Sequence, residues 1–166
     1  MAQTTTTLLT HELPFRPAPT QPKPQWSLNY LHGRLVELSG NGNSAALTVA
    51  SRLIFEAQEG DEPVAWVTNQ DSIFFPPDFA GGGIDLSALP IVQTVNMQQC
   101  MKAADILLQS GAFGLLIIDI GKCVGIRLAI QTRLASQARH HETAVVLITY
   151  KAASDETLGS LVSLRV

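Results

Sequence analysis

The residues with the clearest chemical potential lie in 33–54, GRLVELSGNGNSAALTVASRLI, where an apolar run meets a glycine-bearing turn and then a helical pattern. A loop of this outline can wrap a phosphate. Backbone N–H groups and the helix N-terminus supply positive partial charge, a lysine ammonium answers the β- and γ-phosphates, and a Ser or Thr hydroxyl holds Mg²⁺. Gly40 and Gly42, with Asn41, Asn43 and Ser44, keep such a turn, but Ala45 and Ala46 stand where the lysine and the hydroxyl belong. Thr48 reaches the hydroxyl position only in an alignment that puts Leu47 in place of the lysine. No lysine occurs between Lys23 and Lys102, and Arg52 falls almost two helical turns past the loop, turned away from it. The cradle is kept and the groups that answer charge are missing. Glycine-bearing strand-to-helix turns also serve simply to let a chain turn tightly, so the loop alone does not establish a nucleotide site.

The second candidate is Asp119, at the end of the apolar run FGLLIIDI (113–120). An acidic residue there can hold Mg²⁺ through water, cap the following helix, or sit in solvent. His140 and His141 close a polar helix, where its dipole favours them. Arg127, Arg133 and Arg139 are spaced by six, which distributes them around a helix instead of forming one basic stripe. Cys100 and Cys123 sit in apolar surroundings with no cysteine or histidine at metal-ligand spacing, so each reads as a small core residue and no metal site is expected. No nucleophile–base–acid set can be assembled without choosing residues freely from the whole chain.

The elements that would position these residues alternate regularly. RLVELS is a β run, and Ala46, Ala50, Leu53 and Ala57 recur at helical spacing until Gly60-Asp61-Glu62-Pro63 breaks the pattern. PVAWVTN and IVQTV (91–95) are the next strands; Met97, Met101, Ala104 and Leu108 mark a helix that Ser110-Gly111 ends. FGLLIIDI and TAVVLITY (143–150) are apolar enough for central strands covered on both faces, with a helix over about 125–139 between them. The segment LGSLVSLRV predicts a closing strand, antiparallel if its connection is short. The pattern predicts one α/β domain over 27–166, three-layered α/β/α around a mainly parallel sheet.

Composition agrees with one such domain: 166 residues, 46% apolar, 15% charged and a net charge of −3. That charge gives no reason to expect strong DNA binding by the chain as a whole. Residues 1–26, with Thr4–Thr7 and five prolines between Pro14 and Pro24, predict an extended or disordered tail that Trp26 and Leu28 tie to the domain. Within it, QWSLNY (25–30) faintly matches glutamine-led peptides that dock on the replication sliding clamp. No leader pattern and no run of the ~18 apolar residues of a membrane span is seen, which predicts a cytoplasmic protein without membrane contact.

Taken in order, GRLVELSGNGNSAALTVASRLIFEAQ, PVAWVTNQDS, GIDLSALPIVQ, ILLQSGAFGLLIIDI, TAVVLIT and LVSLRV resemble successive segments of the RecA recombinase core, over roughly residues 33–166. The resemblance implies a RecA-like fold, a degenerate nucleotide loop at 40–46, and Asp119 as the Walker B-like acid. It also puts Gln70 where RecA-type enzymes carry the glutamate that activates water; glutamine can hydrogen-bond a water but cannot take its proton. The stretches from Asp119 to Gly125 and from Tyr150 to Thr157 leave no room for two mobile DNA-gripping loops, and the Pro-rich tail has no counterpart of the subunit-linking N-terminal helix. With FPPDFAGGGIDLSALPIVQ and SGAFGLLI, these losses resemble the subgroup of the SOS-mutagenesis protein ImuA and the cell-division inhibitor SulA. That resemblance implies a non-catalytic adaptor in the DNA-damage response, needing no cofactor. Its partner would be a Y-family polymerase subunit such as ImuB, in translesion synthesis. Two alternatives stand beside it: a RecA-like repair ATPase using ATP and magnesium, and a SulA-like division inhibitor.

Overall fold

A computed structural model describes residues 26–40, 44–69, 76–123, 125–152, 155–162 and 164–165. Six strands form one sheet: β1 Leu35–Ser39, β2 Val64–Thr68, β3 Ile91–Gln93, β4 Leu115–Gly121, β5 Ala144–Thr149 and β6 Leu164–Arg165. Their order across the sheet is β3-β2-β4-β5-β1-β6, and every neighbouring pair is parallel. The helices that connect them are α1 Leu28–Leu31, α2 Ser44–Glu59, α3 Pro76–Gly81, α4 Met97–Ser110 and α5 Leu128–His141, with a 3₁₀ turn at Leu86–Ala88.

Strand alternation divides the core in two. Val36, Leu38, Trp66, Leu115, Ile117, Val146 and Ile148 point to one face, where α1, α2 and the α3 segment cover them. Leu35, Val67, Leu116, Ile118, Val145 and Leu147 point to the other, beneath α4 and α5. A sheet covered on both faces leaves its central strands no solvent side, which is why every residue of β4 and β5 is buried. This is the expected three-layer α/β/α arrangement of a single domain. Leu28 is buried and Trp26 packs beside it against the α2-side core; the rest of the segment expected as a tail lies outside the described residues.

Local chemistry sets the helix ends. The Asn96 side chain accepts from Gln99 N at 2.9 Å and so caps α4, while Gly111 ends it in the left-handed region at φ 64°. Arg139, His140 and His141 occupy the last turn of α5, as read from the sequence. Several element boundaries differ from the sequence reading. β3 stops at Gln93 because the amide and hydroxyl of Thr94 both turn to the Thr68 carbonyl, at 2.8 and 2.9 Å. α5 starts at Leu128 instead of about 125, since Ile126 N donates to Leu158 O and holds Ile126 as an extended, buried anchor. PVAWVTN contributes only Val64–Thr68. The closing strand, read as antiparallel only if its connection were short, pairs parallel to β1, reached from β5 by a longer connection.

Cys100, fully buried in α4, has its thiol pushed up to about 12, chiefly by burial. Cys123 is half-buried, with Sγ 3.2 Å from Gly125 O. Titration of the folded protein with a chromogenic thiol reagent is therefore expected to show Cys123 reacting promptly and Cys100 reacting only at the rate of unfolding. The unfolded thiol ionises near 9 and the folded one does not, so the folded state holds the extra proton. This contribution to stability is constant below pH 9 and declines as pH rises from 9 toward 12.

Candidate functional site

Because all six strands run the same way, their carboxyl ends share one rim, where ligands of open α/β sheets bind. Three elements, β1, α2 and β4, deliver the described sequence-predicted residues to it. β1 leads through Ser39 and Gly40 toward α2, whose first residue is Ser44. Asn41, Gly42 and Asn43 lie outside the described residues, as does Gln70. The Gly40 N–H donates to Thr149 O at 3.1 Å, and the Ser39 hydroxyl donates to Lys151 O at 3.1 Å. The entry to the loop is thus fastened to the end of β5. Ala45 is exposed on α2, and Ala46 is packed into the α2-side core.

Asp119 stands in β4 in register with Thr68 of β2 and Ile148 of β5. It is fully buried and, two residues past Ile117, points to the α2 side of the sheet, the side on which Ala46 packs. It therefore neither caps a helix nor sits in solvent. The Tyr150 hydroxyl lies 3.1 Å from its Oδ1 and 3.2 Å from its Oδ2, and the Gly121 N–H donates to Oδ1 at 3.3 Å. A β-bulge between Asp119 and Gly121 turns that amide back toward the carboxylate. Tyr150 follows β5 directly, so the parallel pairing of β4 and β5 brings the phenol to the acid. Tyr150→Phe removes a donor from a buried carboxylate and is expected to cost about 1–3 kcal/mol in chemical denaturation, with secondary structure retained.

The opposite side of the same rim holds a second polar cluster. Glu37, fully buried in β1, accepts from the Thr149 hydroxyl at 3.0 Å and from Leu158 N at 2.9 Å, and Lys151 Nζ lies 3.9 Å from it. Lys151 also donates to Glu156 O at 3.1 Å. Gln131 of α5 is buried beside it; its amide donates to Ile126 O and Leu158 O, and its carbonyl accepts from Leu161 N. A Cβ at Gly159 would run into the Gln131 side-chain amide and push it off these hydrogen bonds. The described part of the 150–163 crossover is therefore pinned to β1 and α5.

Among the described residues, the loop entry stands at this rim, and Asp119 and Ala46 both lie on the α2 side of the sheet. The rim adds Tyr150, Glu37, Lys151 and Gln131, which the sequence reading passed over. A signal for Glu37 was available: a carboxylate inside an apolar strand buried on both faces requires hydrogen-bond donors and a cation nearby. Position 46 offers a methyl group to the core, Asp119 is engaged by a phenol, and the Lys151 ammonium is directed to Glu37 on the far side of the sheet. No group of three or more His, Cys, Asp or Glu able to hold a metal occurs among the described residues. No helix among them is long and apolar enough to cross a membrane.

Comparison with known proteins gives a consistent result. The RecA N-terminal domain family matches residues 28–150. Protein RecA of Corynebacterium urealyticum is 31% identical over 129 residues, covering 70% of this chain and 34% of that protein. Protein RecA of Nocardioides sp. is 31% identical over 126 residues, covering 69% of this chain and 35% of that protein. The chain spans about a third of the length of these curated relatives. The crystal structure of SulA from Pseudomonas aeruginosa superposes with a TM-score of 0.55 at 14% identity, covering 69% of this chain and 96% of that one. That likeness is one of fold.

Proposed function

The chain belongs to the RecA N-terminal domain family, and from that premise we propose that it is a non-catalytic member acting through protein–protein contacts in the DNA-damage response. The observation that carries this reading is the Tyr150 phenol bound to both oxygens of Asp119, joined to a loop whose lysine and hydroxyl positions are Ala45 and Ala46. A Walker B-like acid works by placing negative charge where Mg²⁺ can meet it; here the fold answers that charge from inside. Losing the cation, the hydroxyl and, at Gln70, the base removes each step of phosphoryl transfer, while the sheet and both cores are kept. A preserved fold with its reactive groups replaced is consistent with work done by its surface.

The finer reading is an ImuA-like adaptor that supports translesion synthesis by contacting a Y-family polymerase subunit such as ImuB, in the cytoplasm and without direct DNA binding. The described part of the 150–163 crossover supports the last point, since Glu37 and Gln131 hold it at Leu158 and Leu161. Affinity purification of the tagged protein from DNA-damaged cells tests this reading. Recovery of a Y-family polymerase subunit is the expected result; recovery of division proteins instead would move the assignment to a SulA-like inhibitor.

A further inference from the structure

The face of the sheet away from Asp119 carries a groove between α4 and α5. Two adjoining concavities of about 370 and 450 Å³ share Gln98, Met101 and Ile130. Their floor is apolar, from Met101, Ile130 and Leu134.

The rim of the groove is charged in one sense. Lys102, Arg127 and Arg133 line it against one carboxylate, Asp105, which is paired with Arg133. Lys102 and Arg127 have no ion-pair partner among the described residues. The chain as a whole is at −3, so this cationic rim runs against its overall balance and selects for the opposite charge. A trough between two helices with an apolar floor and charged walls suits an amphipathic helix laid along it.

We infer that the α4–α5 groove is a docking site for an acidic amphipathic helical segment of another protein, its leucines on the Met101–Ile130 floor and its carboxylates facing Lys102 and Arg127. The chain's own segment 1–25 does not match this chemistry: it holds one glutamate, Glu12, against Arg16 and Lys23. The inference rests on the reading of the chain as a protein-contact module. Nucleotide binding, which tests that reading, concerns the other side of the sheet, so the two can fail separately.

The test uses the full chain and a fluorescent helical peptide with leucines at i, i+3, i+4 and i+7 and glutamates at its flanks, followed by anisotropy at low ionic strength. The expected result is saturable binding, weakened about tenfold by Lys102→Glu with Arg127→Glu, with unchanged thermal unfolding, since both positions are exposed. The same peptide with lysines in place of glutamates should not bind. Equal binding of both peptides, no binding of the acidic one, or indifference to the charge reversals would overturn the inference. So would sedimentation showing a dimer that the reversals dissociate, which would put a second copy in the groove. Tighter peptide binding on Leu8→Asp with Leu9→Asp would put the chain's own N-terminal segment there, and would overturn it equally.

Discussion

Glu37→Ala is expected to lower the unfolding free energy by about 3–5 kcal/mol, read as a reduced urea midpoint with an unchanged slope. The carboxylate is fully buried and serves three groups at once: the Thr149 hydroxyl, Leu158 N and the nearly buried Lys151 ammonium. Removing it leaves the buried Leu158 N–H without its acceptor and takes the countercharge from the Lys151 ammonium, which costs more than the interaction itself was worth. Glu37→Gln keeps the shape and part of the hydrogen bonding, and is expected to lose distinctly less. The 3.9 Å separation from Lys151 is long for a close ion pair, so the acceptor role dominates. If the two variants proved equally destabilised, the charge toward Lys151 would be the larger contribution. Loss of Glu37 should also release the 150–163 crossover, visible as faster amide exchange at Leu158.

Trp66→Ala is the second large effect, about 3–5 kcal/mol in the same measurement. Trp66 is the largest fully buried side chain; it stands mid-strand in β2 and meets Phe79 edge-on, ring centroids 5.5 Å apart. Phe79 is the one buried residue of α3, so this contact is what seats the short helix over the sheet. Truncation opens a cavity that two neighbouring elements cannot both close. Phe79→Ala should loosen α3 while leaving the strands intact, which far-ultraviolet and near-ultraviolet circular dichroism would separate.

The strands and long helices were legible because each buries a continuous face, and burial writes a period into the sequence. β4 and β5 read as unbroken apolar runs since both their faces are covered, and α4 announced itself through Met97, Met101, Ala104 and Leu108 and through Gly111. The direction of β6 was not legible, because a two-residue strand carries no trace of which neighbour it will join. α1, α3 and the 3₁₀ turn are too short to show a period. At the site, the sequence shows only residue types: Ala45 and Ala46 carry no polar side-chain group. The environment of Asp119 was not legible, because Tyr150 reaches it from a strand 31 residues away in the chain. Only the pairing of β4 with β5 brings the two together.

The central claim is that this fold no longer handles nucleotide. Calorimetric titration of the full chain with ATP and Mg²⁺, followed by an assay for released phosphate, tests it most directly. The account predicts no saturable heat and no turnover, with or without single-stranded DNA. Micromolar binding with hydrolysis that disappears in Asp119→Ala would contradict it, and would show that another cation has replaced the lysine.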